Sequence, residues 1–110
     1  MRKLLVAALV AAFSATLVTQ AAAARTVDVG DDYFLRKGES PTVRVGKGTR
    51  VTWRWVGRDL HNVAVTSGPR KFRSSLKDSG RFSRKLRRRG TYKIICTIHQ
   101  PDMAMTLRVR

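Results

Sequence analysis

"YKIICTIHQPDMAMTLRVR", Tyr92 to Arg110, closes a chain of 110 amino acids. It holds the only cysteine, one of the two histidines and two of the three methionines. Both ends of the stretch alternate. Tyr92, Ile94 and Cys96 share one parity before the loop; Met105, Leu107 and Val109 share one after it, against Thr106, Arg108 and Arg110. Strict alternation marks a half-buried β-strand, whose successive side chains point to opposite faces. The stretch reads as strand, loop, strand, with the soft donors gathered around the loop.

The same period runs through the sequence upstream. Val27 and Val29, then Val43 and Val45, then Val51, Trp53 and Trp55 each take one face of a short segment. "HNVAVTSG" aligns His61, Val63 and Val65, and "GRFSRKLRRRG" aligns Phe82 and Leu86 with Arg84 awkwardly between them. Turns of Gly, Ser, Pro and Asp separate the segments. The pattern predicts an all-β, antiparallel sandwich or barrel of about seven or eight strands. "SGPRKFRSSLKDSG", residues 67–80, is the least regular part and reads as a crossing loop tacked down by Phe72 and Leu76.

The chain begins "MRKLLVAALVAAFSATLVTQAAAARTV". Arg2 and Lys3 precede an apolar run that is short for a membrane span, and Ala22 and Ala24 follow in an A-x-A arrangement. That predicts a Sec-type signal peptide over residues 1–24 and a single domain over residues 25–110. Export implies a periplasmic, extracellular or envelope-associated protein. A domain of this size has a marginal core, and Cys96 alone forms no internal disulfide; a lone cysteine in an oxidising compartment is buried, bound to something, or a liability. Without the leader, 21 basic residues stand against seven acidic ones. The resulting charge of about +14 draws acidic partners or anionic membrane surfaces and favours a soluble monomer.

Four donors stand out. Cys96 ends a strand, His99 lies three residues on, Met103 four beyond that, and His61 begins a strand upstream. A lone strand-end histidine is ordinarily a surface or capping residue, and a single cysteine is ordinarily a small buried hydrophobe. Together they form a soft, mixed set. Thiolate and thioether suit Cu(I), two imidazoles also serve Cu(II), and a trigonal His2Cys site with a weak axial Met is the arrangement of one-electron transfer. Zinc has no use for the thioether. Met105 shares parity with Leu107 and Val109, which favours a core role over a ligand role.

"DLHNVAV" and "GTYKIICTIHQPDM" resemble the copper-binding segments of the cupredoxins, the small type 1 copper proteins, in their plastocyanin and amicyanin group. The likeness extends through the first strands, where "VRVGKGTRVTW" is similar to a family pattern. It implies a Greek-key β-sandwich, a copper ion held by His61, Cys96, His99 and Met103, and an Asn62 that ties the two ligand loops together. "QPD", between His99 and Met103, is intermediate between amicyanin-like and plastocyanin-like loops; counting back from the last strand favours Met103 as the axial ligand. The resemblance implies a blue copper protein that cycles between Cu(I) and Cu(II) and passes electrons to redox protein partners; the leader predicts its export, and the basic charge predicts acidic docking faces on those partners. It implies no enzyme, and no acid–base pair or second copper site stands near the ligands. A copper-delivery protein with the same ligands is the first alternative. A basic polyanion-binding module is the second, although aromatics do not interleave with "RKLRRRG" as nucleic-acid stacking requires.

Overall fold

Alternating apolar residues, interrupted by glycine turns, fold into eight strands with no helix among the described residues. The computed structural model describes residues 23–110; the expected signal peptide lies outside them except for its last two residues. The strands are β1 (Ala24–Gly30), β2 (Tyr33–Phe34), β3 (Thr42–Val45), β4 (Arg50–Trp55), β5 (Ala64–Ser67), β6 (Arg81–Lys85), β7 (Gly90–Ile95) and β8 (Ala104–Val109). They form two sheets, β2-β1-β4-β6 and β3-β8-β7-β5, stacked as a cupredoxin-like Greek-key sandwich.

The sheets are mixed rather than antiparallel throughout. β1 runs parallel to β4, pairing Val27 with Trp53, and β3 runs parallel to β8, pairing Val43 with Leu107. Parallel neighbours need long connections, which the alternation of single strands does not reveal. β2 is a further addition. It closes a two-residue turn, Asp31–Asp32, against the end of β1, with Gly30 opposite Tyr33. Asp32 takes a positive φ of 70° there, a conformation that Asp tolerates better than most residues.

The core follows parity. Val27, Val29, Val51, Trp53 and Trp55 come from one sheet; Tyr92, Ile94, Met105, Leu107 and Val109 come from the other, all buried. Each fully buried side chain of this size contributes on the order of 1.5–3 kcal/mol. Trp53 sits at the centre with Phe72 and Phe82 at 5.8 and 5.9 Å between ring centroids. Arg84 is explained by the same cluster: its guanidinium lies 4.4 Å from the Phe82 ring centroid, so it stays exposed while its strand mate turns inward.

The long segment after β5 is held differently from expectation. Phe72 packs on the core, but Leu76 is exposed. The inward residue is Ser74, whose Oγ accepts from Val63 N at 2.9 Å while its own N donates to Val63 O. Isolated bridges pair Arg73 with Ala64 and Lys77 with His61. His61 therefore precedes β5 rather than opening it. Every residue from His61 to Val65 is buried, because both sides of this segment are covered.

Candidate metal centre

β7 delivers Cys96 to one end of the sandwich, buried by the parity it shares with Tyr92 and Ile94. The loop that follows is laced by its own backbone. His99 N donates to Cys96 O at 3.3 Å, Met103 N to His99 O at 3.0 Å, and Cys96 N to Met103 O at 3.1 Å. These bonds bring Cys96, His99 and Met103 to the same end before β8 begins. His61 arrives from the other side, fixed by paired backbone bonds with Lys77 and by the Trp55 indole, which donates to His61 O at 3.1 Å.

His61 Nδ1 and His99 Nδ1 lie 3.2 Å apart, and Cys96 Sγ lies 4.0 and 3.4 Å from them respectively. A point equidistant from these three atoms lies about 2.1 Å from each, close to the bond lengths imidazole and thiolate make to a first-row metal. His61 and Cys96 are completely buried, whereas the His99 side chain keeps 29% of its surface exposed.

The far side of each ring faces a carboxylate. His61 Nε2 lies 3.0 Å from Asp31 Oδ1, and His99 Nε2 lies 3.3 Å from Asp32 Oδ1. A neutral imidazole has one N–H. With that proton at Nε2, hydrogen-bonded to the Asp31 carboxylate, His61 presents a bare lone pair at Nδ1. Two imidazole nitrogens and a sulfur, each a metal donor when deprotonated, converge within 4.0 Å of one another. The donor set thus fits the soft ion that the sequence suggests.

Asp31 is the residue that sequence reasoning missed. Its carboxylate accepts from Arg58 N and Asp59 N at 3.0 Å each as well as facing His61. The His61 hydrogen bond, and then the Asp59 amide, lower its pKa to about 2. Gly57 makes room for it: a Cβ there would come within 2.2 Å of Asp31 Oδ1. Nothing local in "VGDDYF" points thirty residues downstream to His61, so no sequence signal marks the pair.

Asn62 joins the segment that carries His61 to the loop after Cys96. Its Oδ1 accepts from Thr97 N at 2.8 Å and from Thr97 Oγ1 at 3.2 Å. Met103 is completely buried in the loop just described. Met105 is occupied elsewhere, its Sδ accepting the Trp53 indole N–H at 3.5 Å in the core.

Against known proteins, no family model matches the chain. It is similar to amicyanin-alpha of Methylorubrum extorquens, with 35% identity over 109 residues, covering 90% of this chain and 92% of the relative. The chain belongs to the amicyanin group of the cupredoxins. Among solved structures, a Cu(I) form of a point mutant of amicyanin matches with a TM-score of 0.67 at 26% identity, covering 84% of this chain and 87% of that one. A second amicyanin mutant, in its reduced Cu(I) form at pH 4, matches with a TM-score of 0.65 at 27% identity, covering 89% and 90%. A purple cupredoxin from Nitrosopumilus maritimus shares the fold, with a TM-score of 0.65 at 17% identity, covering 78% of this chain and 99% of that one. As a cupredoxin with a His–Cys–His cluster, the protein is a copper-binding electron carrier and not an enzyme.

Proposed function

We propose that this cupredoxin carries single electrons through a type 1 copper site whose ligands are His61, Cys96, His99 and, axially, Met103, with Asn62 fixing the ligand loops. The convergence of the two Nδ1 atoms and Cys96 Sγ carries the reading. Copper held there supplies one-electron cycling between Cu(I) and Cu(II). The chain's own part is to keep the donors in place in both states, so that little rearrangement accompanies the electron. The Asn62–Thr97 tie, the laced loop and the Asp31 contact all serve that end. Met105 is engaged by Trp53, which supports Met103 as the axial thioether.

His99 is the partly exposed ligand, and so the route by which an electron enters or leaves. Leu60 and Ile98, each next in sequence to a ligand histidine, expose about half their surface, 51% and 50%. They offer a redox partner an apolar contact beside the edge of the site. The net charge supports long-range attraction of acidic-faced partners and of anionic envelope surfaces. The leader-like first 24 residues support export to the periplasm or cell envelope of one mature domain, residues 25–110, acting as a monomer.

A copper-delivery role is the competing reading, and it demands ready exchange. The complete burial of His61, Cys96 and Met103 favours retention instead. Protein-film voltammetry and chelator challenge separate the two. An electron carrier gives a fast, reversible one-electron wave and keeps its copper against excess chelator. Rapid loss of copper to the chelator, with a sluggish wave, establishes delivery instead.

A further inference from the structure

Strand direction divides the molecule into two ends. β7 runs from Gly90 toward Cys96, β8 runs away from the metal loop toward Arg110, and antiparallel β4 and β6 place Arg50 opposite Lys85. The end away from the ligands therefore gathers the chain around residues 46–50, 68–71, 85–90 and 110. Backbone bonds confirm the meeting: Gly48 N donates to Leu86 O at 2.7 Å and Lys47 N to Arg110 O at 2.8 Å. Strands of five or six residues separate this end from the ligands by roughly 20 Å.

A groove of about 550 Å³ opens there, lined by Arg70, Lys71, Arg84, Lys85, Arg87 and Arg88. Phe72, Leu86 and Tyr92 form its apolar floor. No acidic residue lines it, and none of the six cations makes a salt bridge among the described residues. The charge continues past the groove through exposed Lys47, Arg89 and Arg110. The acidic residues lie elsewhere. Asp31 and Asp32 face the ligand histidines, and Asp32, Glu39 and Asp102 line a second depression on the metal side.

Convergent like charges without counter-charges strain a fold by repulsion, so their concentration calls for an anionic occupant. Its breadth selects the kind. A small phosphate compound fills the groove but leaves Lys47, Arg89 and Arg110 unused, whereas an anionic bilayer meets all of them at once. The carboxylates at the other end are repelled by that same bilayer, which fixes the molecule's orientation. We infer that the basic end, centred on the groove of Arg70, Lys71, Arg84, Lys85, Arg87 and Arg88, docks on an anionic phospholipid surface and turns the His99 end outward. The inference deepens the envelope-association reading and is independent of the copper ligands. A redox partner then reaches His99 without displacing the protein from the membrane.

Cosedimentation of the leader-free protein, with and without copper, tests it, using vesicles of phosphatidylglycerol and phosphatidylcholine or of phosphatidylcholine alone. Each Lys or Arg near an anionic leaflet strengthens binding about fivefold. The triple variant Arg87→Gln, Arg88→Gln, Arg89→Gln then weakens binding to anionic vesicles by about 100-fold. A charge-matched triple at the other end, Arg36→Gln, Lys37→Gln, Arg58→Gln, weakens it by about fivefold or less. Wild type binds anionic but not neutral vesicles, equally in apo and copper forms, and is released at high salt. Equal losses in the two triples overturn the oriented dock, as does absence of binding at low salt. Tighter binding of a soluble polyphosphate or of RNA than of anionic vesicles at the same salt also overturns it and assigns the groove to that anion. Circular dichroism of both triples confirms that each remains folded.

Discussion

Replacing Asp31 with alanine tests whether the metal site is organised from behind its histidines. The Asp31 carboxylate holds His61 Nε2 at 3.0 Å and aims Nδ1 at Cys96 and His99. Outer contacts of this kind typically cost 10–100-fold in metal affinity when removed. The loss here falls at the low end, about tenfold, for two reasons. Asp31 is 39% exposed, so water partly screens its hydrogen bond, and the His61 backbone stays fixed by Lys77 and the Trp55 indole. What the variant frees is ring rotation and tautomer, not the position of the main chain. Chelator competition measures the affinity, and nitrogen-15 NMR of the apoprotein reads the tautomer directly. Wild-type His61 carries its proton on Nε2; Asp31→Ala populates both tautomers. Asp32→Ala is the internal comparison. Its contact to His99 is longer, 3.3 Å, and the Asp32 side chain is 68% exposed, so its effect is smaller than that of Asp31→Ala. Unchanged affinity and tautomer in Asp31→Ala, or a larger loss in Asp32→Ala, refutes the reasoning.

Met103→Leu is expected to keep a coloured copper site with a raised reduction potential, because a weak axial donor is lost, while Met105→Leu leaves the visible spectrum almost unchanged and lowers stability by about 1 kcal/mol; voltammetry and thermal melts of the two variants check this. Tyr92→Phe removes the hydrogen bond its hydroxyl donates to Arg88 O at 2.8 Å and costs about 1 kcal/mol, or a Tm roughly 4–8 °C lower. Burial also raises the Tyr92 phenol above its ordinary value of 10.0, so the unfolded chain ionises first; this part of the stability is present below pH 10 and is lost as pH rises above it. Melts across alkaline pH should accordingly fall less steeply for Tyr92→Phe than for wild type.

Legibility differed by kind of interaction. Strands with one buried face were plain: Val51, Trp53 and Trp55 alternate, as do Met105, Leu107 and Val109, and the structure buries each set. The gathering of His61, Cys96 and His99 was legible because two of them share one loop and because the flanking motifs resemble cupredoxins. β2 has two residues, too few for any period to register. The parallel pairings of β1 with β4 and β3 with β8 depend on crossovers that single-strand patterns do not encode. Leu76 was misplaced because an apolar residue in an irregular loop carries no parity, and Ser74 takes the inward position through hydrogen bonds instead. Asp31 was invisible for a related reason: a carboxylate in a turn resembles a solvated charge until the fold brings His61 against it.

The central claim is that His61, Cys96 and His99 together hold one copper ion through a thiolate bond. Titrating the apoprotein with Cu(II) while recording the visible spectrum tests it most directly, with Cys96→Ser as the control. An intense blue thiolate-to-copper charge-transfer band that saturates at one equivalent, and is absent from a still-folded Cys96→Ser, is the predicted result. A colourless one-to-one Cu(II) complex, or a blue band that survives in Cys96→Ser, contradicts it.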